Sequence, residues 1–111
     1  SEEVIFDIIK KYKKYKYFVL LQPTSPLRNN FDIDRSLELL IKNDKDFLVS
    51  INKSTNKYNG AIYINKINNF LKTKKIFLKK KILFKMSSKK SIDIDNLKDF
   101  KKAEKYFENN C

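Results

Sequence analysis

Apolar residues recur along this chain with two different periods. Val4, Ile5, Ile8, Ile9 and Tyr12 return every three to four positions and predict an N-terminal helix. Ser1 is placed to cap it, Glu2 and Glu3 suit its first turn, and lysines 10, 11, 13 and 14 suit its last. Residues 17–21 form instead a short unbroken apolar run, the pattern of a buried strand. Pro23 and Pro26 break regular structure in the loop of residues 22–30. A second helix is expected from Asp32 or Asp34, with Leu37, Leu40 and Ile41 as its apolar stripe. Residues 47–51 predict the next strand, 52–58 a polar connection and 60–64 a third strand. A short helix over 67–71, a strand over 82–86 and an extended stretch over 91–95 follow. Residues 96–109 predict a last helix, striped by Leu97, Phe100, Ala103 and Phe107.

Helices alternating with strands imply an α/β fold: one layered domain over residues 1–111, with a mostly parallel mixed sheet flanked by helices. In such sheets ligands bind in the crevice beyond the carboxyl ends of the strands. The segment that fits this rule best is Phe18-Val19-Leu20-Leu21 running into Gln22-Pro23-Thr24-Ser25-Pro26-Leu27-Arg28.

Composition narrows the chemistry. The chain is 41% hydrophobic and 14% aromatic, enough for a packed core. It contains no histidine, and its one cysteine is Cys111, which removes histidine-dependent triads and internal disulfides. The one glycine is Gly60, so neither a P-loop nor a dinucleotide fingerprint is present. No apolar run approaches the ~20 residues of a membrane helix, and the acidic N-terminus has no signal-peptide character, so a cytoplasmic protein without membrane contact is expected. The formal charge of +12 raises a nucleic-acid partner. Only Arg28 and Arg35 are arginines, however, and the lysines, Lys53 and the 72–81 cluster included, read as solvated surface.

Three constellations carry candidate chemistry. In the first, Gln22 offers a donor and an acceptor, Thr24 and Ser25 add hydroxyls, and Arg28 can pair with an anion. The bland alternative is a strand-to-helix turn whose hydroxyls satisfy local backbone. In the second, Asn59 can donate and accept, Gly60 permits close approach or an unusual dihedral, and Tyr63 presents a hydroxyl. The alternative is an Asn-Gly turn opening a strand. In the third, Asp93 and Asp95 share one side of an extended segment, where a cation such as Mg2+ would relieve their repulsion. The alternative is a helix cap at Asp95 beside a solvated Asp93.

Taken in order, Phe18 to Arg28, Asn59-Gly60-Ala61-Ile62-Tyr63-Ile64 and Ser91-Ile92-Asp93-Ile94-Asp95 resemble segments of the acylneuraminate cytidylyltransferases. That resemblance implies a nucleotide-diphospho-sugar transferase-like fold matched in its later part, without the opening strand and the basic glycine-bearing loop that grips CTP. It implies transfer of CMP from CTP to a nonulosonic, sialic-acid-like sugar with release of pyrophosphate. Gln22, Asn59 and Tyr63 would contact the sugar, and Lys57 stands where the family usually has an arginine. Asp93 and Asp95 would hold the catalytic Mg2+. A homodimer is implied too, weakened by the short 52–58 connection. On this reading the chain is a truncated member, inactive alone. A lysine-rich nucleic-acid-binding module, a different nucleotidyltransferase and a non-catalytic remnant are the alternatives.

Overall fold

A computed structural model describes residues 2–22, 27–92 and 97–110, the side chains of 97 and 106–110 excepted. Helix α1 (Glu2–Ile9) leads through a 3-10 turn at Lys10–Tyr12 into strand β1 (Tyr17–Leu21). Then come α2 (Asn30–Asn43), β2 (Phe47–Asn52), β3 (Tyr58–Lys66), α3 (Ile67–Thr73), β4 (Lys81–Met86) and α4 (Leu97–Asn110). No helix among the described residues is long and apolar enough to cross a membrane.

Helix α2 starts earlier than its first aspartate suggests. Asn29 is the cap: its side chain accepts from the Asp32 amide at 3.0 Å, and Asp32 accepts from the Asn29 amide at 2.9 Å. Asp32 is therefore the return arm of a capping box, satisfying one of the orphan donors at the helix start. The helix stops at Asp44, which takes a left-handed conformation (φ 46°) and donates its amide to the Ile41 carbonyl. Leu40 is buried as expected, whereas Ile41 is 53% exposed, one position around the helix from the stripe.

The described strands order as β1-β3-β2-β4. The layered α/β expectation holds, but the sheet is not mostly parallel in its pairings. Only β2 and β4 pair in parallel; β3 runs antiparallel to both β1 and β2. The cause is the five-residue connection 53–57 between β2 and β3, too short for a crossover and long enough for a hairpin. Since β3 lies between β1 and β2 and opposes both, the carboxyl ends of β1, β2 and β4 gather at one end of the sheet.

Strand β1 differs from its expectation in a second way. It is an edge strand among the described residues, and Val19 and Leu21 are each more than a third exposed. An unbroken apolar run signals burial capacity but not which neighbour supplies the burial.

Helices cover both faces of the sheet. Leu40 of α2 packs on Leu48, Ile62, Ile64 and Phe84. On the other face, Ile5, Phe6 and Ile9 of α1 and Phe70 of α3 meet Phe18, Phe47 and Val49. Leu48, Ile62 and Phe47 are wholly hidden, each contributing about 1.5–3 kcal/mol of burial. This two-sided core fixes the strands whose ends form the site.

Candidate functional site

An interruption of the β2–β3 ladder shapes the site. Val49 faces Tyr63 and Ile51 faces Tyr58, so Ser50 alone stands opposite residues 59–62. The surplus residues bulge out of β3 at the carboxyl end of the sheet, and a bulge re-aims side chains. At its crest Gly60 has φ +71°, a left-handed conformation that glycine adopts without cost. The Gln22 side chain lies directly on this glycine. A β-carbon there would stand 2.9 Å from Gln22 Cδ and closer still to Oε1. The sequence expectation of a close approach or an unusual dihedral is met on both counts, inside the strand rather than in a turn before it.

Ser50 mends the interrupted ladder from within. Its side chain is buried completely. Its hydroxyl donates to Asn59 Oδ1 at 2.5 Å and accepts from the Ile62 amide at 2.9 Å. Asn59 Oδ1 also accepts from the Ala61 amide at 3.1 Å. On its other side Asn59 donates to Ser91 Oγ at 3.0 Å and lies 3.6 Å from Met86 Sδ. Ser91 passes the interaction on by donating to the Ser87 carbonyl at 2.7 Å.

The turn at residues 88–91 is tied down in two further places. Ser88 Oγ lies 3.0 Å from Asn52 Oδ1 and 2.9 Å from Ser54 Oγ in the hairpin. Lys90 Nζ reaches Asp32 Oδ1 at 3.1 Å. Asp32 thus serves both the capping box of α2 and the turn after β4.

A cavity of about 350 Å3 opens over the bulge. Gln22, Lys57, Asn59 and Tyr63, four residues singled out from two separate stretches of sequence, all line it. Asn52, Thr55, Tyr58, Gly60 and Ser91 line it too. Among the described residues of that lining Lys57 is the one charged group, and none is a carboxylate. Such a wall suits a polyhydroxylated ligand carrying a negative charge. The Tyr63 ring is steadied by Phe77, centroid to centroid 5.7 Å at 80°.

Arg28 has a different place. Its Nη1 donates to the Gln22 carbonyl at 2.7 Å, closing the 22–28 loop on itself. Partial burial lowers the guanidinium pKa from its ordinary value. Arg28 is not among the residues lining the cavity. Thr24, Ser25, Asp93 and Asp95 lie outside the described residues. Among the described residues no three acidic, histidine or cysteine groups gather as a metal site. Sequence reasoning assigned no role to Ser50, Asn52 or Tyr58. A lone hydroxyl inside the apolar strand 47–51 was the available signal for Ser50, since a buried hydroxyl demands a partner.

The fold and the cavity define an α/β domain with an open polar cavity at the carboxyl ends of its strands, the place where such sheets receive ligands. The chain is 26% identical to an N-acylneuraminate cytidylyltransferase of Streptococcus agalactiae serotype III (strain NEM316), over 90% of its own length and 32% of the relative's. It is 29% identical to the N-acylneuraminate cytidylyltransferase of Escherichia coli O18:K1:H7, over 93% of its length and again 32% of the relative's. The resemblance seen in three segments therefore extends over nearly the whole chain, which spans about a third of the length of the curated relatives it matches. The alignments, at 133 and 136 positions, are longer than the 111-residue chain, so the relatives carry residues with no counterpart in it. No family model matches.

Proposed function

We propose that the cavity holds an acidic nonulosonic sugar and that residues 1–111 form the sugar-binding part of a cytidylyltransferase of the nucleotide-diphospho-sugar transferase type. The observation that carries this reading is the convergence of Gln22, Lys57, Asn59 and Tyr63 on one cavity. Lys57 would meet the sugar carboxylate, as a point charge rather than as a bidentate fork. Gln22 and the Tyr63 hydroxyl would meet sugar hydroxyls, fixing orientation for reaction.

In the reaction proposed for the whole protein, the anomeric hydroxyl of the sugar attacks the α-phosphorus of CTP. A new oxygen–phosphorus bond forms, and the bond to pyrophosphate breaks. We assign to Asp93 and Asp95 the holding of Mg2+, which when bound would neutralise phosphate charge. A CTP-dependent reaction fits a cytoplasmic location. Residues 1–111 contain no glycine-rich loop to cradle a triphosphate, their one glycine being committed to the bulge.

Calorimetric titration tests the reading. A nonulosonic acid is expected to bind while a neutral hexose does not, and Lys57→Met should weaken binding by about 10-fold. Equal binding of acidic and neutral sugars would contradict it. Mixed with CTP, Mg2+ and the sugar, the 111-residue chain should release no pyrophosphate.

A further inference from the structure

Asn59 has no hydrogen-bonding capacity left for a ligand. A primary amide offers two donors and two acceptor sites. Its oxygen already accepts from Ser50 Oγ and the Ala61 amide. Its nitrogen faces Ser91 Oγ and Met86 Sδ. Ser50 beneath it is wholly buried and touches no ligand space. From Asn59 the chain passes straight to Gly60, on which the Gln22 side chain rests. A displacement of Asn59 would therefore move the surface that orients Gln22.

We infer that Asn59 is a positioning residue, and that Ser50, Asn59 and Ser91 form a side-chain strut holding the Asn59–Gly60 bulge under Gln22. The strut fixes the cavity wall while Gln22, Lys57 and Tyr63 meet the ligand. Its effect on ligand affinity rests on the sugar-binding reading above; the mechanical claim does not.

The test uses the isotope-labelled 111-residue chain and three variants, Ser50→Ala, Asn59→Ala and Ser91→Ala. The Ala61 and Ile62 amides should exchange with solvent at least about 10-fold faster in both Ser50→Ala and Asn59→Ala, since each loses the same hydroxyl–amide support. The Gln22 side-chain amide signals should shift in all three. N-acetylneuraminate affinity should fall by a similar factor, about 5- to 10-fold, in Ser50→Ala and Asn59→Ala, and the double variant should be no weaker than the worse single. Should Ser50→Ala not fold, Ser50→Cys keeps a weak donor of similar size, and Ser91→Ala cuts the strut at its half-exposed end.

Loss of sugar binding in Asn59→Ala with wild-type affinity in Ser50→Ala would overturn the inference, because Asn59 would then touch the sugar itself. Unchanged exchange and unchanged Gln22 signals in the Ser50 variants would overturn it as well. If the wild-type chain binds no sugar, the sugar reading fails, and the exchange and Gln22 signals alone decide the strut.

Discussion

Strand β3 carries an asparagine near each end, and the two are opposites. Asn59, half-buried at the cavity, has its side-chain amide engaged by Ser50, Ala61, Ser91 and Met86. Asn65 is fully buried between Phe18 of β1 and Phe47 of β2, and neither its Nδ2 nor its Oδ1 has a hydrogen-bond partner among the described residues. One residue type on one strand thus builds polar structure at one end and works against burial at the other. At the carboxyl end of the sheet the buried amide is built into a network of directional bonds around a cavity, whereas at the opposite end it lies among hydrocarbon and the polar bonds, such as Lys66 to Asp44, run at the rim. A buried amide helps only where its partners are positioned for it.

Substitutions at the two positions should therefore act with opposite sign. Asn59→Ala removes one bond each from Ser50, Ser91 and the Ala61 amide and should destabilise by about 3 kcal/mol, read from urea denaturation. A loss below a few tenths would mean the network does not hold the bulge. Asn65→Leu replaces an unpaired amide by a hydrocarbon of similar size. It should stabilise by about 1–2 kcal/mol and raise Tm by several degrees. A lower Tm would show that the amide has a partner and would erase the contrast.

Gly60→Ala sharpens the comparison at the bulge itself. The positive φ should cost about 1–2 kcal/mol for a residue with a β-carbon. That carbon should also push Gln22 off its seat, visible as altered Gln22 side-chain signals. A cost near zero would show that the bulge relaxes out of the left-handed conformation.

The smallest effect lies beside Asn65, at Lys66. Its ammonium donates to Asp44 Oδ1 at 2.8 Å. This bond and the charge of Lys66 lower the Asp44 pKa, and the same bond raises that of Lys66. A depressed carboxylate contributes stability above its ordinary range and loses it as pH falls through the depressed value. A raised lysine contributes below its ordinary value and loses it as pH rises through the raised one. Lys66→Met should thus lower the urea midpoint slightly at neutral pH and not at all well below the carboxylate range. A difference that persists in acid would show that Lys66 acts through packing.

Much of this architecture was legible in the residue pattern, and what was not has physical causes. The strand positions followed from the apolar runs at 17–21, 47–51 and 82–86, each within a residue or two. Helix α2 starts at Asn30, two to four residues before the expected Asp32 or Asp34, because an asparagine caps as well as an aspartate and Asp32 serves as the return arm instead. The short 53–57 connection marks β2 and β3 as antiparallel, but the place of β1 beside β3 was not legible, since β1 carries no mark of its partner. Gln22, Asn59 and Tyr63 were found through local segments. That they share a wall depends on a bulge that only the positive φ of Gly60 makes possible. Ser50 was hidden because one hydroxyl in an apolar strand looks like a tolerated irregularity, not the centre of a network.

The claim on which the account turns is that the cavity over the Gly60 bulge is a sugar site, and residue-resolved NMR titration with a nonulosonic acid tests it most directly. The account predicts saturable shifts at Gln22, Lys57, Gly60 and Tyr63, with the α1 and Asn65 ends of the sheet unmoved. Shifts confined to α1 or to the exposed lysines, or no saturable shift at all, would contradict it.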